Sequence, residues 1–264
     1  MNIYLRELKA NLKSLLVWTG IIALLLLIAV AKYSAYADNP EMLQLLDTMP
    51  QGLLDALNMK TFNLTTLTGF FGVMFVYFAL MGAIAASMWG SDILSKEERD
   101  KTVEFLLVLP VSRVRVLTAK ALAALTNAVL FMLFTWGISL LTVRRYAPDR
   151  AFLDFLRLEM GAMLMLELLF LALGLLLGAS MKRYKRAGST AVAVIMGTYF
   201  LSVAIGMHDK LDFLKWFTPF RYFDAGTLYR AGRMDTVYVT LSLLLTALML
   251  AAAYWAYNRR DLYI

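Results

Sequence analysis

Six runs of about 20 apolar residues limit what this sequence can fold into more than any motif does. They are Leu15–Tyr36, Leu67–Trp89, Ala121–Val143, Glu159–Met181, Ser189–Met207 and Val237–Tyr257. An α-helix rises about 1.5 Å per residue, so each run is long enough to cross the roughly 30 Å of hydrocarbon in a bilayer. No water reaches that region to satisfy backbone N–H and C=O groups, so each run is a helix that closes its own hydrogen bonds. The sequence therefore predicts an all-α, polytopic membrane protein, with residues 1–264 forming one transmembrane domain. Composition agrees. The chain is 61% hydrophobic and 17% charged, against about 45–50% and 25% in a soluble domain.

Arg6, Lys9 and Lys13 precede the first run, and Ala35-Tyr36-Ala37 mimics a cleavage site. The apolar stretch from Leu15 to Ala31 is longer than the roughly 7–15 residues of a signal core, so it is read as an uncleaved first span. Orientation follows from the loops. Met181-Lys-Arg-Tyr-Lys-Arg186 has four basic residues and no acid, which assigns it to the cytoplasm by the positive-inside rule. The same side then holds Arg6, Lys9 and Lys13, the basic residues from Lys96 to Lys120, and Arg259 and Arg260. Both termini are expected there. The net charge of +7 reports topology rather than nucleic-acid binding, and no nucleic-acid partner is expected.

On the opposite side, Met42–Met59 is amphipathic and interrupted by Pro50 and Gly52, which predicts one or two short interfacial helices. The last outer loop interleaves Trp216, Phe217, Phe220, Tyr222, Phe223 and Tyr229 with charges. That pattern suits a segment lying at the membrane–water boundary, with a substrate-contact loop as the alternative.

The loop 90–120 joins spans two and three and is the most highly charged part of the chain. Ser95-Lys-Glu-Glu98 fits a capping box, with Ser95 as N-cap, and a helix from there runs to Leu109, since Pro110 cannot continue it. Its apolar residues nearly encircle it, so it must bury against headgroups, its own bundle or another protein. Ser112 is expected to cap the next helix, which carries Arg113, Arg115 and Lys120 into the third span.

Within the spans, Glu167 is read as the only acid in a span core, and a buried ionisable group in lipid marks a functional site by default. The structural alternative is a carboxyl held protonated, or bonded to Asn127 or to a hydroxyl on a neighbouring helix. Gly174 and Gly178 form a GxxxG pattern, and Gly82, Ala83, Ala85 and Ala86 give span two a small-residue face. Both permit close helix contact, which is assigned to packing within the chain. Several chemistries are excluded. The chain has no cysteine and one histidine, His208, so thiolate and multi-histidine metal sites are ruled out. No G-x-x-x-x-G-K-[ST], H-E-x-x-H or G-x-S-x-G occurs. Catalysis by this chain is not expected, and neither is a cofactor of its own.

Ser95-Lys-Glu-Glu-Arg-Asp-Lys-Thr-Val-Glu104, followed by Leu-Leu-Val-Leu-Pro-Val-Ser-Arg113 and Lys120, resembles the loop between spans two and three of the six-span permeases of bacterial ATP-binding-cassette exporters, the type-two permease class. Lys101 stands where that family often has glycine. Weaker matches are the opening MNIYLRELKANLKS, similar to the family's amphipathic leading helix, Pro219-Phe-Arg-Tyr-Phe223, and Arg259-Arg-Asp-Leu262. The resemblance covers essentially the whole chain. It implies a coupling helix that docks on a separate ATPase subunit, which binds the ATP, and a pair of permease chains, identical or not, in the bacterial plasma membrane. The docking residues it implies are Glu97, Glu98, Arg99, Thr102, Glu104, Phe105, Leu106, Leu109, Pro110 and Arg113. Asn127 and Glu167 are candidates for a substrate path or a structural pair. Two other readings remain open at this point. One is a non-transporting scaffold or sensor, and the other is an ion-coupled carrier with Glu167 carrying the proton.

Overall fold

The computed structural model describes residues 2–37, 54, 61–99, 111–181 and 183–259. These residues contain no strand. The helices are α1 (Ile3–Tyr36), α2 (Leu67–Arg99), α3 (Arg113–Val143), α4 (Arg150–Ser180), α5 (Tyr184–Met207), α6 (Pro219–Tyr222), α7 (Ala225–Ala231) and α8 (Thr236–Arg259), with 3-10 turns at Arg144–Tyr146 and Asp209–Phe217. Six of them, α1 to α5 and α8, are long and apolar enough to cross a membrane. The interfacial helices expected over 42–59 lie outside the described residues except for Leu54. So do residues 100–110 of the polar loop, Lys182, and Arg260–Leu262.

Local signals set where the helices start. Ser112 accepts a hydrogen bond from the Arg115 N–H at 3.3 Å, the cap expected from sequence. Asp149 caps α4 through the Phe152 N–H at 2.8 Å, and Thr66 Oγ1 accepts from Gly69 N–H at 3.1 Å at the head of α2. Asp224 caps α7, which ends at Gly232 with φ +61°, a left-handed position that glycine adopts without a Cβ penalty.

The helices run past the apolar segments into charged sequence, and three expectations change as a result. The leading segment of the chain is not a separate amphipathic helix, because α1 is continuous from Ile3 to Tyr36. Ser95 is not an N-cap. It lies inside α2, buried, and its hydroxyl donates to the Ser91 carbonyl at 2.8 Å. A serine can be kept within a helix in this way, and Lys, Glu and Arg are good helix formers, so nothing in the sequence halts α2 at Trp89. Glu159 is not a span boundary either. Because α4 begins at Arg150, Glu159 sits well inside it and is fully buried. Glu167 is therefore not the only acid in a span core.

Contacts at the ends give the direction of each helix. Glu7 near the start of α1 pairs with Lys96 near the end of α2, and Arg113 at the start of α3 reaches Asn258 near the end of α8. Hence α1, α3 and α5 run one way and α2, α4 and α8 the other. The end holding Glu7, Lys96, Arg113 and Arg259 is the basic end, and the opposite one is the loop end. Helices α2 and α4 form the centre as parallel neighbours. A Cβ at Gly174 would stand 2.2 Å from the Ser87 carbonyl oxygen, and one at Gly90 would stand 2.5 Å from that of Leu171. Gly178 meets Ser91 O at 2.9 Å in the same sense. The GxxxG pair thus sets backbone against backbone within the chain. Helices α1, α5 and α8 lie outside and turn Leu16, Leu24, Phe200, Leu244 and Leu248 outward.

Candidate functional site

The basic end is where the polar loop leaves the bundle. The last turns of α2 are held there from two sides. Lys120 of α3 is fully buried and its ammonium donates to the Ile93 carbonyl at 2.5 Å. Glu7 of α1, also fully buried, receives Lys96 and, at 3.1 Å, Arg6. Two further contacts bind α1 to the same neighbours. The indole N–H of Trp89 donates to Ser14 Oγ at 3.0 Å, and the hydroxyls of Tyr4 and Thr126 lie 3.0 Å apart. A charge removed from water demands a partner, so Glu7 and Lys96 fix the start of α1 to the end of α2.

Among the residues assigned to docking, Glu97, Glu98 and Arg99 form the last backbone turn of α2. Thr102, Glu104, Phe105, Leu106, Leu109 and Pro110 lie outside the described residues. Arg113 has a contact within the chain: its guanidinium donates to the Asn258 carbonyl at 3.3 Å and to that of Tyr257 at 3.5 Å. A cation at a helix C-terminus complements the exposed carbonyls there, and this contact ties α3 to α8 beside the loop.

Mid-span, Glu167 is fully buried and points at Gly82, where a Cβ would stand 2.7 Å from its Oε1. The bond to Asn127 or to a hydroxyl does not form, because the Glu167 carboxyl oxygens and Asn127 Nδ2 have no hydrogen-bond partner. Asn127 is itself 1% exposed. The structure buries both residues and leaves the Glu167 carboxyl and the Asn127 Nδ2 without a partner.

At the loop end the aromatic segment does not lie flat. Phe213, Trp216 and Phe217 are exposed on the 3-10 turn, whereas Phe220, Tyr222 and Phe223 are buried in the bundle. Thr218 anchors the fold-back by donating to the Thr198 carbonyl at 2.7 Å, and Phe220 packs on Phe170 and Tyr199. Pro219 sits at the first position of α6, where its missing N–H costs nothing. Burial, and after it the nearby Tyr238, raises the Tyr222 phenol above the ordinary tyrosine range. Beneath the fold-back is a cavity of about 40 Å³, lined among others by Phe75, Leu166, Tyr199, Phe220, Arg221 and Asp224. At roughly 10–15 Å³ per water it holds only a few waters. Arg221 and Asp224, 3.9 Å apart, stand in its wall.

Sequence reasoning missed Glu7, Glu159 and the buried position of Lys120. A signal existed for Glu7, which falls on the helical stripe of Tyr4, Leu8, Asn11 and Leu15. Lys120 gave none, because a lysine at the head of a span reads as one more loop charge. Comparison with known families adds one finding: a family model described as "ABC-2 family transporter protein" matches residues 1–262. No curated protein matches the chain in sequence.

Proposed function

Because this chain belongs to the ABC-2 transporter family and is a multi-pass permease, we propose that it is the membrane half of an ATP-driven exporter. In this reading the basic end faces the cytoplasm of a bacterial cell and two permease chains pair with two ATPase subunits. The loop 90–120 is the part of the chain that couples it to the ATPase. ATP binding closes the ATPase dimer, the coupling loops carry that movement to the spans, and the bundle opens outward.

The observation that carries this reading is how α2 is held. Its last turns are pinned by Lys120 and by Glu7 through Lys96, and its next two turns are fused to α4 backbone to backbone at Gly90, Gly174 and Gly178. A load applied at the loop therefore moves α1, α2 and α4 together instead of bending one helix. The fold-back of 218–225 over a small cavity at the far end supports an exit that is closed in this conformation.

The test is a search of the neighbouring reading frames for a P-loop ATPase, followed by co-purification of that ATPase with this chain. Glu104→Ala and Leu106→Asp are each expected to lower co-purification and ATPase activity. Retained binding with unchanged ATPase activity in both variants refutes the docking assignment.

A further inference from the structure

Among the described residues seven buried side-chain polar atoms have no hydrogen-bond partner, and six of them lie on α3, α4 and α8: Asn127 Nδ2, both carboxyl oxygens of Glu159, both of Glu167, and Ser242 Oγ. All four residues are at most 1% exposed. Packed protein interiors rarely leave such atoms unsatisfied, and hydrocarbon tolerates them less. Glu159 and Glu167 stand two turns apart, about 12 Å along the α4 axis, with Met163 midway between them.

The charged groups around α4 are remote or engaged elsewhere. On α4 itself, Asp154 and Arg157 are exposed and pair with each other at 3.5 Å. On α2, Asp92 and Lys96 lie toward the basic end, where Lys96 pairs with Glu7. On α3, Lys120 is bonded to Ile93 O and Arg113 reaches the end of α8. Arg259 of α8 stacks on Trp255, and Arg230 of α7 donates to Thr61. Arg221 and Asp224 stand in the wall of the cavity that Leu166 also lines and are 3.9 Å from each other, and Tyr77 of α2 and Tyr199 of α5 add phenols on the helices beside α4. The packing also limits what an occupant could be. A single methyl group at Gly82 would stand 2.7 Å from Glu167 Oε1 and 2.9 Å from Met163 Cε. On the Gly82 side of Glu167, therefore, there is no room for a hydrated metal ion or an amine. A proton requires no such volume.

We infer that Glu159 and Glu167 form a proton-binding pair inside the membrane. In this closed arrangement each is accommodated as the neutral acid. When the bundle opens and water enters, the carboxylic O–H breaks, its electron pair stays on the carboxylate, and the water becomes hydronium. Closing returns one proton from hydronium to each carboxylate before the site dries. The pair thus links bundle opening to proton exchange. This inference rests on neither the ATPase nor the direction of transport, so it can fail while the exporter reading stands.

The test is infrared difference spectroscopy on the purified chain in phosphatidylcholine vesicles, following the carboxylic-acid C=O stretch. At neutral pH the band is expected to be present, to shift on transfer to D₂O, and to disappear reversibly as the pH is raised. Each of Glu159→Gln and Glu167→Gln should remove about half of the exchangeable intensity, and the double variant should remove all of it. Three outcomes overturn the inference. The band is absent at neutral pH, it persists in the double variant, or it neither shifts nor titrates, which would make these acids permanently closed structural groups. If the double variant does not fold, the single variants decide: full exchangeable intensity retained in both overturns the inference.

Discussion

Gly174→Ala tests the rigid seam between α2 and α4. The new Cβ would stand 2.2 Å from Ser87 O and 2.9 Å from Ser87 C, against an ordinary contact of 3.4 Å or more. Both atoms belong to backbone, so no side chain can rotate away and the seam must open by about 1.2 Å. A gap of 0.5–1 Å already forfeits a quarter to a half of each dispersion contact along the line, and overpacking a close-packed site costs about 1–3 kcal/mol. Gly137 of α3 is the control: a Cβ there meets nothing within 4 Å, so Gly137→Ala gains up to about 1 kcal/mol of helix propensity. The two variants should differ by about 2–4 kcal/mol, or roughly 5–15 °C in Tm for a chain of this size. Thermal unfolding in detergent micelles, read by tryptophan fluorescence, makes the comparison. If Gly174→Ala melts at or above the temperature of Gly137→Ala, the seam is not tight and the lever argument built on it falls.

Two further outcomes follow from single groups. Lys96→Met leaves Glu7 buried without its main cation, which at this partly exposed pair should cost about 2–3 kcal/mol, somewhat less than the roughly 3–5 kcal/mol for breaking a fully buried pair. Glu7→Gln/Lys96→Met should recover most of that loss in Tm, and a double variant no better than Lys96→Met alone argues that the pair is not what holds α1 to α2. Tyr222 holds its proton more tightly in the folded chain than in the unfolded one, because burial raises its phenol. Its contribution to stability is therefore full below the ordinary tyrosine range, about pH 10, and is lost as the pH rises through it. Tyr222→Phe should flatten the alkaline fall of Tm, and an unchanged alkaline limb would assign that fall to other groups.

The six spans, the Ser112 cap and the close glycine contacts were legible because each depends on neighbours along the chain: hydropathy on about 20 consecutive residues, a cap on three, GxxxG on one helical turn. The limits of the spans were not. Hydropathy marks where apolar residues stop, whereas a helix stops only where its backbone hydrogen bonds do. Ser95-Lys-Glu-Glu98 has the composition of a cap and the conformation of a mid-helix turn, and only the chain preceding it decides between the two.

The amino-acid pattern by itself determined that this chain crosses a membrane six times, contains no P-loop motif and concentrates charge in the loop between spans two and three. Tertiary structure alone decided which polar residues matter inside it. Glu7 meets Lys96 across 89 positions, and Lys120 meets Ile93 across the polar loop. Glu167 reaches Gly82 from two helices away along the chain, and Glu159 is interior only because α4 begins nine residues earlier. A buried charge takes its meaning from what stands opposite it, and in a helical bundle the residue opposite lies far away in sequence.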